Sequence, residues 1–142
     1  MTIKQYRLIY LENGLKVCLY CNQSVDKDLQ LDHLFSWSRF LVNGFWNLYP
    51  VCSSCKSKKS DKIPIITKSI ENRIMKHIEL CMQINDKGQA MILNDLNVLY
   101  QRRFKSSPRK IPKDRMIEEI VEYIRSLSNN LLDTVPGYEF QN

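Results

Sequence analysis

The stretch that decides the fold runs from residue 18 to residue 55: Cys18-Leu19-Tyr20-Cys21, then Leu31-Asp32-His33, then Asn47-Leu48, then Cys52-Ser53-Ser54-Cys55. Two CxxC pairs bracket an Asp-His pair and a downstream asparagine. A thiolate pair at this spacing reaches one ion from a tight turn. Two such pairs complete a tetrahedral four-thiolate zinc site with no open coordination position. The zinc expected on Cys18, Cys21, Cys52 and Cys55 is therefore structural, tying together the ends of what lies between. Residues 22–51 are more than a simple zinc ribbon carries, so a further unit is inserted there. Disulfides or free thiols are the competing reading of the same cysteines.

Outward from this stretch, the chain has 142 residues, enough for one domain or a small domain with an extension. With 44% hydrophobic and 25% charged residues it has an ordinary globular composition. No apolar run approaches the roughly 20 residues of a membrane helix. Met1-Thr2-Ile3-Lys4-Gln5-Tyr6 lacks the apolar core of a signal peptide. These features, with four of five cysteines in pairs, predict a reducing, cytoplasmic setting. The net charge of +6 favours a polyanionic partner.

Ile3, Tyr6, Ile9 and Tyr10 fit a helical face, while Tyr6, Leu8 and Tyr10 alternate as in a strand; Asn13-Gly14 then marks a turn. Leu29, Leu31 and His33 predict a strand ending at the Asp-His pair, and residues 48–51 a second one. Ser53 or Ser54 is placed to cap a short helix through Lys59. From about residue 63 the chain reads as helices. Thr67 caps one with Ile70, Ile74, Ile78, Cys81 and Met82 inward. A second carries Ile92, Leu96, Leu99 and Tyr100. Beyond Pro108 and Pro112 a third starts at Asp114, with Ile117, Ile120, Val121, Ile124 and Leu127 inward. The tail, with Leu131, Leu132, Val135, Tyr138 and Phe140, is apolar enough to dock.

Cleaving a phosphodiester requires a water nucleophile, a base to deprotonate it and a cation against the developing charge. His33 suits the base because an imidazole titrates near neutrality. Asp32 suits a hard cation such as Mg2+, which prefers oxygen ligands. Neighbours on a strand point to opposite sides, so the two serve one site only if the backbone bends there.

From Cys18 to Pro64 these strings, with Leu34-Phe35-Ser36-Trp37-Ser38 after the Asp-His pair, Phe45-Trp46-Asn47-Leu48-Tyr49-Pro50-Val51 before the second CxxC and Lys58-Lys59-Ser60-Asp61-Lys62-Ile63-Pro64 after it, resemble the HNH endonucleases of the ββα-metal fold. The resemblance implies an α+β protein: a zinc-stapled ββα-metal domain over residues 1–64, followed by a helical extension over 65–142. It implies hydrolysis of DNA with Zn2+ as structural ion and Mg2+ or Mn2+ as catalytic ion, in a phage, mobile-element or defence setting. It makes His33 the general base, Asp32 the metal ligand and Asn47 the residue that orients the base through its loop. Lys58, Lys59, Lys62 and Arg39 would lie along the nucleic acid. Two positions depart from the family pattern. Ser36 stands where proline is frequent. Lys56 stands where the family usually has His or Asn as second metal ligand. A charged lysine has three donors and no acceptor, so it cannot ligate Mg2+. The metal is then held by Asp32 and phosphate oxygens alone, or the ammonium replaces part of its electrostatic role, or the domain only binds nucleic acid or a partner protein.

A second basic group, Arg102, Arg103, Lys105, Arg109, Lys110, Lys113 and Arg115, spans the proline-containing loop. Such clusters suit phosphate contacts, which carry affinity without sequence information. The helical extension is open to a targeting partner protein.

Overall fold

The computed structural model describes residues 2–36, 43–108, 111–135 and 137–139. Helix α1 spans Ile3–Glu12. Its start settles the ambiguity of the first segment: Thr2 Oγ1 accepts from the Gln5 amide, and Gln5 Oε1 accepts from the Thr2 amide at 2.7 Å. This reciprocal capping satisfies two backbone donors that a strand would not present. The helix buries Tyr6 and Tyr10 and stops at Asn13-Gly14, where Gly14 takes φ 72°.

Strands β1 (Gln30–His33) and β2 (Leu48–Val51) pair antiparallel, with Asp32 opposite Tyr49 and His33 opposite Leu48. Helix α2 (Ser53–Lys59) follows directly and completes a ββα unit. Its N-cap is Cys52, not a serine: the Cys52 Sγ accepts from the Cys55 amide at 3.5 Å. The sulfur that must turn toward the other thiols is thereby also the group that caps the helix.

Strand β3 (Ile63–Pro64) leads into α3 (Lys68–Met82), capped by Thr67 as expected. Helix α4 (Gly88–Leu99) widens into a π-helical turn over Tyr100–Phe104, and α5 covers Lys113–Leu132. The predicted stripes of α3 and α4 are buried throughout. On α5 the inward line is Met116, Ile120, Val121, Ile124 and Ser128, while Ile117 and Leu127 are only half-buried. The 3.6-residue period rotates that stripe by about one position. The tail docks on its own chain: β4 (Gly137–Tyr138) runs parallel to β3, with Ile63 opposite Gly137. No helix among the described residues is long and apolar enough to cross a membrane.

The fold is α+β, and one buried cluster runs through both sequence segments. Tyr10, Leu31, Leu48 and Tyr49 from the first share it with Ile74, Ile78, Leu96 and Ile120 from the second. Arg125 of α5 and Glu71 of α3 join the helices by a two-pronged ion pair, which holds the Glu71 carboxyl below its ordinary range.

Candidate functional site

The four paired cysteines converge. Their sulfurs lie within 4.8 Å of one another, and Cys21 Sγ is 3.9 Å from Cys52 Sγ. A tetrahedral zinc with bonds of about 2.3 Å has sulfur–sulfur edges of roughly 3.8 Å, so the donor set fits that ion. The first pair is shaped by a tight knuckle. Asn22 turns left-handed at φ 62°, its amide donates to the Cys18 carbonyl at 2.9 Å, and the Cys18 amide donates to Gln23 at 2.8 Å. Burial pushes the Cys18 and Cys55 thiols up. Burial acts the same way on Cys52, but the Cys55 amide and neighbouring thiols outweigh it and leave that group lowered. Cys81 is apart, buried in α3 as a core residue.

Asp32 is buried at the centre of the ββα unit. Its Oδ2 accepts from the Tyr20 hydroxyl at 2.7 Å and from the Lys59 ammonium at 3.0 Å. Burial first, and the Asp32 charge second, push the Tyr20 phenol well up, so it is a donor. Both contacts use Oδ2, and Oδ1 is the oxygen left for a cation. Lys59 is 0% exposed and also donates to the His33 carbonyl at 2.9 Å. One helical turn earlier, Lys56 Nζ donates to the Leu31 carbonyl at 2.8 Å. Two lysines of α2 thus clip the helix to β1, and Lys56 adds no oxygen to the site.

His33, at the end of β1, is half-buried, with Nε2 2.8 Å from Asn43 Oδ1. Asn47 fastens the loop that follows. Its Oδ1 accepts from the Phe35 amide at 2.8 Å and its Nδ2 donates to the Phe35 carbonyl at 3.1 Å. Phe45, between Asn43 and Asn47, is held from both sides by the helical extension. Its amide donates to Asp95 Oδ2 at 3.0 Å, and its carbonyl accepts from His77 Nε2 at 3.0 Å. Burial raises the Asp95 carboxyl to about 6, against the pull of the Phe45 amide and the Tyr6 hydroxyl. Burial lowers the His77 imidazole to about 4.

The structure therefore brings Asp32, His33, Asn47, Lys56 and Lys59 together around β1. Lys58 and Lys62 are exposed, and Lys62 sits over the Tyr138 ring, 5.3 Å from its centroid. Arg102, Arg103, Lys105, Lys113 and Arg115 are exposed on the extension. Arg39, Trp37, Ser38, Arg109, Lys110 and Phe140 lie outside the described residues. Tyr20, Asn43, His77 and Asp95 were not singled out by sequence reasoning. Asp95 carried one usable signal, a carboxylate inside the apolar stripe Ile92-Leu96-Leu99.

Residues 18–62 match the family model described as HNH endonuclease. The match spans both CxxC pairs, β1, β2 and α2, which is the ββα unit with its zinc-type donor set. A domain of this type points to a nuclease-type or nucleic-acid-binding function. A search of curated proteins gives no match to the chain.

Proposed function

We propose that the chain is a divalent-metal-dependent endonuclease that hydrolyses DNA phosphodiester bonds, with His33 as general base. The observation that carries this reading is the presentation of His33. It ends β1 half-exposed, its Nε2 is held by Asn43, and the loop beyond it is fixed by Asn47. With Asn43 Oδ1 as acceptor, Nε2 carries the hydrogen, and that contact fixes the ring for the role of base. Asp32 Oδ1 would hold Mg2+ or Mn2+, which would supply positive charge against the phosphate when bound. Lys56 would add no oxygen to that ion, because its ammonium donates to the Leu31 carbonyl. Lys59 sets its amine group beside the same carboxylate, and Lys58 and Lys62 are exposed toward a polyanion.

A second reading has its own support. With ammonium groups at both α2 positions facing β1, the unit is a catalytically impaired HNH-like zinc module that binds nucleic acid or a partner protein. A nicking assay on supercoiled plasmid with Mg2+ or Mn2+ separates the two. Nicking by the wild type and none by His33→Ala supports the endonuclease. Silence of the wild type with both metals, alongside retained DNA binding, supports the second reading.

A further inference from the structure

From the cavity behind the zinc knuckle, we infer that the protein holds one unpaired nucleobase of a single-stranded segment there, separate from the hydrolytic site. The cavity has a volume of about 230 Å³ and lies between the knuckle, β2 and α3. Its walls are apolar: Leu15, Val17, Leu19, Tyr49, Pro50 and Leu80. Drug-sized ligands occupy roughly 300–1,000 Å³, so this space suits one ring system rather than a larger molecule.

His77 also lines it and is 5% exposed. Because the Phe45 carbonyl can only accept, His77 Nε2 carries the ring hydrogen, and Nδ1 is a bare acceptor. Nδ1 is buried and has no hydrogen-bond partner. His77 thus adds the face and edge of an aromatic ring to the wall, with its Nδ1 buried beneath the lining. Three cations border the same cavity: Lys16, Arg73 and Lys76. Arg73 is anchored by donating to the Leu19 and Tyr20 carbonyls, while Lys76 is exposed. An apolar slot with a basic margin matches a flat base attached to phosphates, and shows no feature that selects among the bases.

The slot and the hydrolytic site share the two-stranded sheet. Tyr49 and Pro50, which line it, stand opposite Asp32 and Leu31 in the sheet. The inference rests on the reading that this chain handles nucleic acid, but not on its cutting it.

The test is an abasic scan. A short fluorescent single strand, with each base removed in turn, is titrated with zinc-loaded His33→Ala protein without added Mg2+. Removing one particular base should weaken binding roughly 5- to 150-fold, the range for a stacked base. Leu80→Phe, which fills the slot, and Val17→Trp, which covers its mouth from an exposed position, should both erase that position's cost. Zinc content and circular dichroism of the variants check that they fold. An unchanged cost in both folded variants overturns the inference, as does a scan in which no position costs anything. Preference for an acidic, Trp-containing peptide over every strand also overturns it and gives the cavity to a protein segment. Plasmid nicking by the wild type is scored separately. Nicking without a base-dependent position rejects the slot alone, and a base-dependent position without nicking rejects the nuclease alone.

Discussion

Replacing Lys59 with methionine removes the ammonium and keeps most of the stem. The side chain is 0% exposed, and its nitrogen serves Asp32 Oδ2 at 3.0 Å and the His33 carbonyl at 2.9 Å. Without it, a buried carboxylate keeps only the Tyr20 hydroxyl, and the carbonyl of the proposed base loses a charged donor. Removing one partner of a buried ion pair costs about 3–5 kcal/mol, mostly for the charge left behind. In a chain of this size each kcal/mol moves Tm by roughly 3–4 °C, so Lys59→Met should melt about 9–20 °C lower. Urea unfolding in saturating zinc, followed by tryptophan fluorescence, measures the loss directly. Asp32→Asn added to Lys59→Met should recover part of it, because the stranded charge is then gone. A loss below about 1 kcal/mol for Lys59→Met would refute the reasoning, since that is the range of a solvated surface pair.

Cys52→Ser should bring bound zinc from about one ion per chain to near zero and lower stability sharply, by metal analysis and unfolding; a folded, reduced wild type without zinc would reject the four-thiolate site. Lys56→Asn should lower the Mg2+ concentration for half-maximal nicking while costing about 1 kcal/mol of stability, because it exchanges the Leu31 carbonyl contact for an oxygen ligand. An unchanged metal dependence in a protein that cleaves would remove the underligation argument. The pH dependence has a definite sign. Asp95 titrates near 6 in the fold against an ordinary 3.8, so its contribution is present below about 4 and fades, by about 3 kcal/mol, as pH rises to 6. His77, lowered from 6.5 to about 4, contributes above 6.5 and is lost on acidification. The two oppose each other, so Asp95→Asn should lose stability more steeply than wild type between pH 6 and 4.5. Parallel urea midpoints over that window would contradict the assignment.

What was legible in the sequence was local. CxxC spacing implies a metal knuckle because both thiols hang on one turn, and the structure brings all four sulfurs together. The strand ending at Asp32-His33, the helix through Lys59 and the Thr67 cap rest on short-range patterns and match the observed elements. The resemblance placed Lys59 along the nucleic acid, yet it is buried, which is rare for lysine. Its burial depends on a carboxylate, Asp32, supplied by β1 across the sheet–helix contact. The spacing of Lys56 and Lys59 on one helical face held a hint of that role. The clamps on Phe45 were out of reach, because His77 and Asp95 stand 32 and 50 positions away along the chain. Only the packed helices bring them to that turn.

That grip on Phe45 also has a consequence for the order of events at the ribosome. Everything the family match covers has been synthesised by residue 62. The knuckle can therefore load its metal early. The turn carrying Asn43 and Asn47 waits longer: its amide and carbonyl find their partners only after α3 and α4 have emerged and packed. Until then the nascent chain holds the proposed hydrolytic residues without the frame that orients them. Ribosome-bound chains halted before Asp95 should bind zinc but lack cleavage, so that competence arrives with the last helices rather than with the motif.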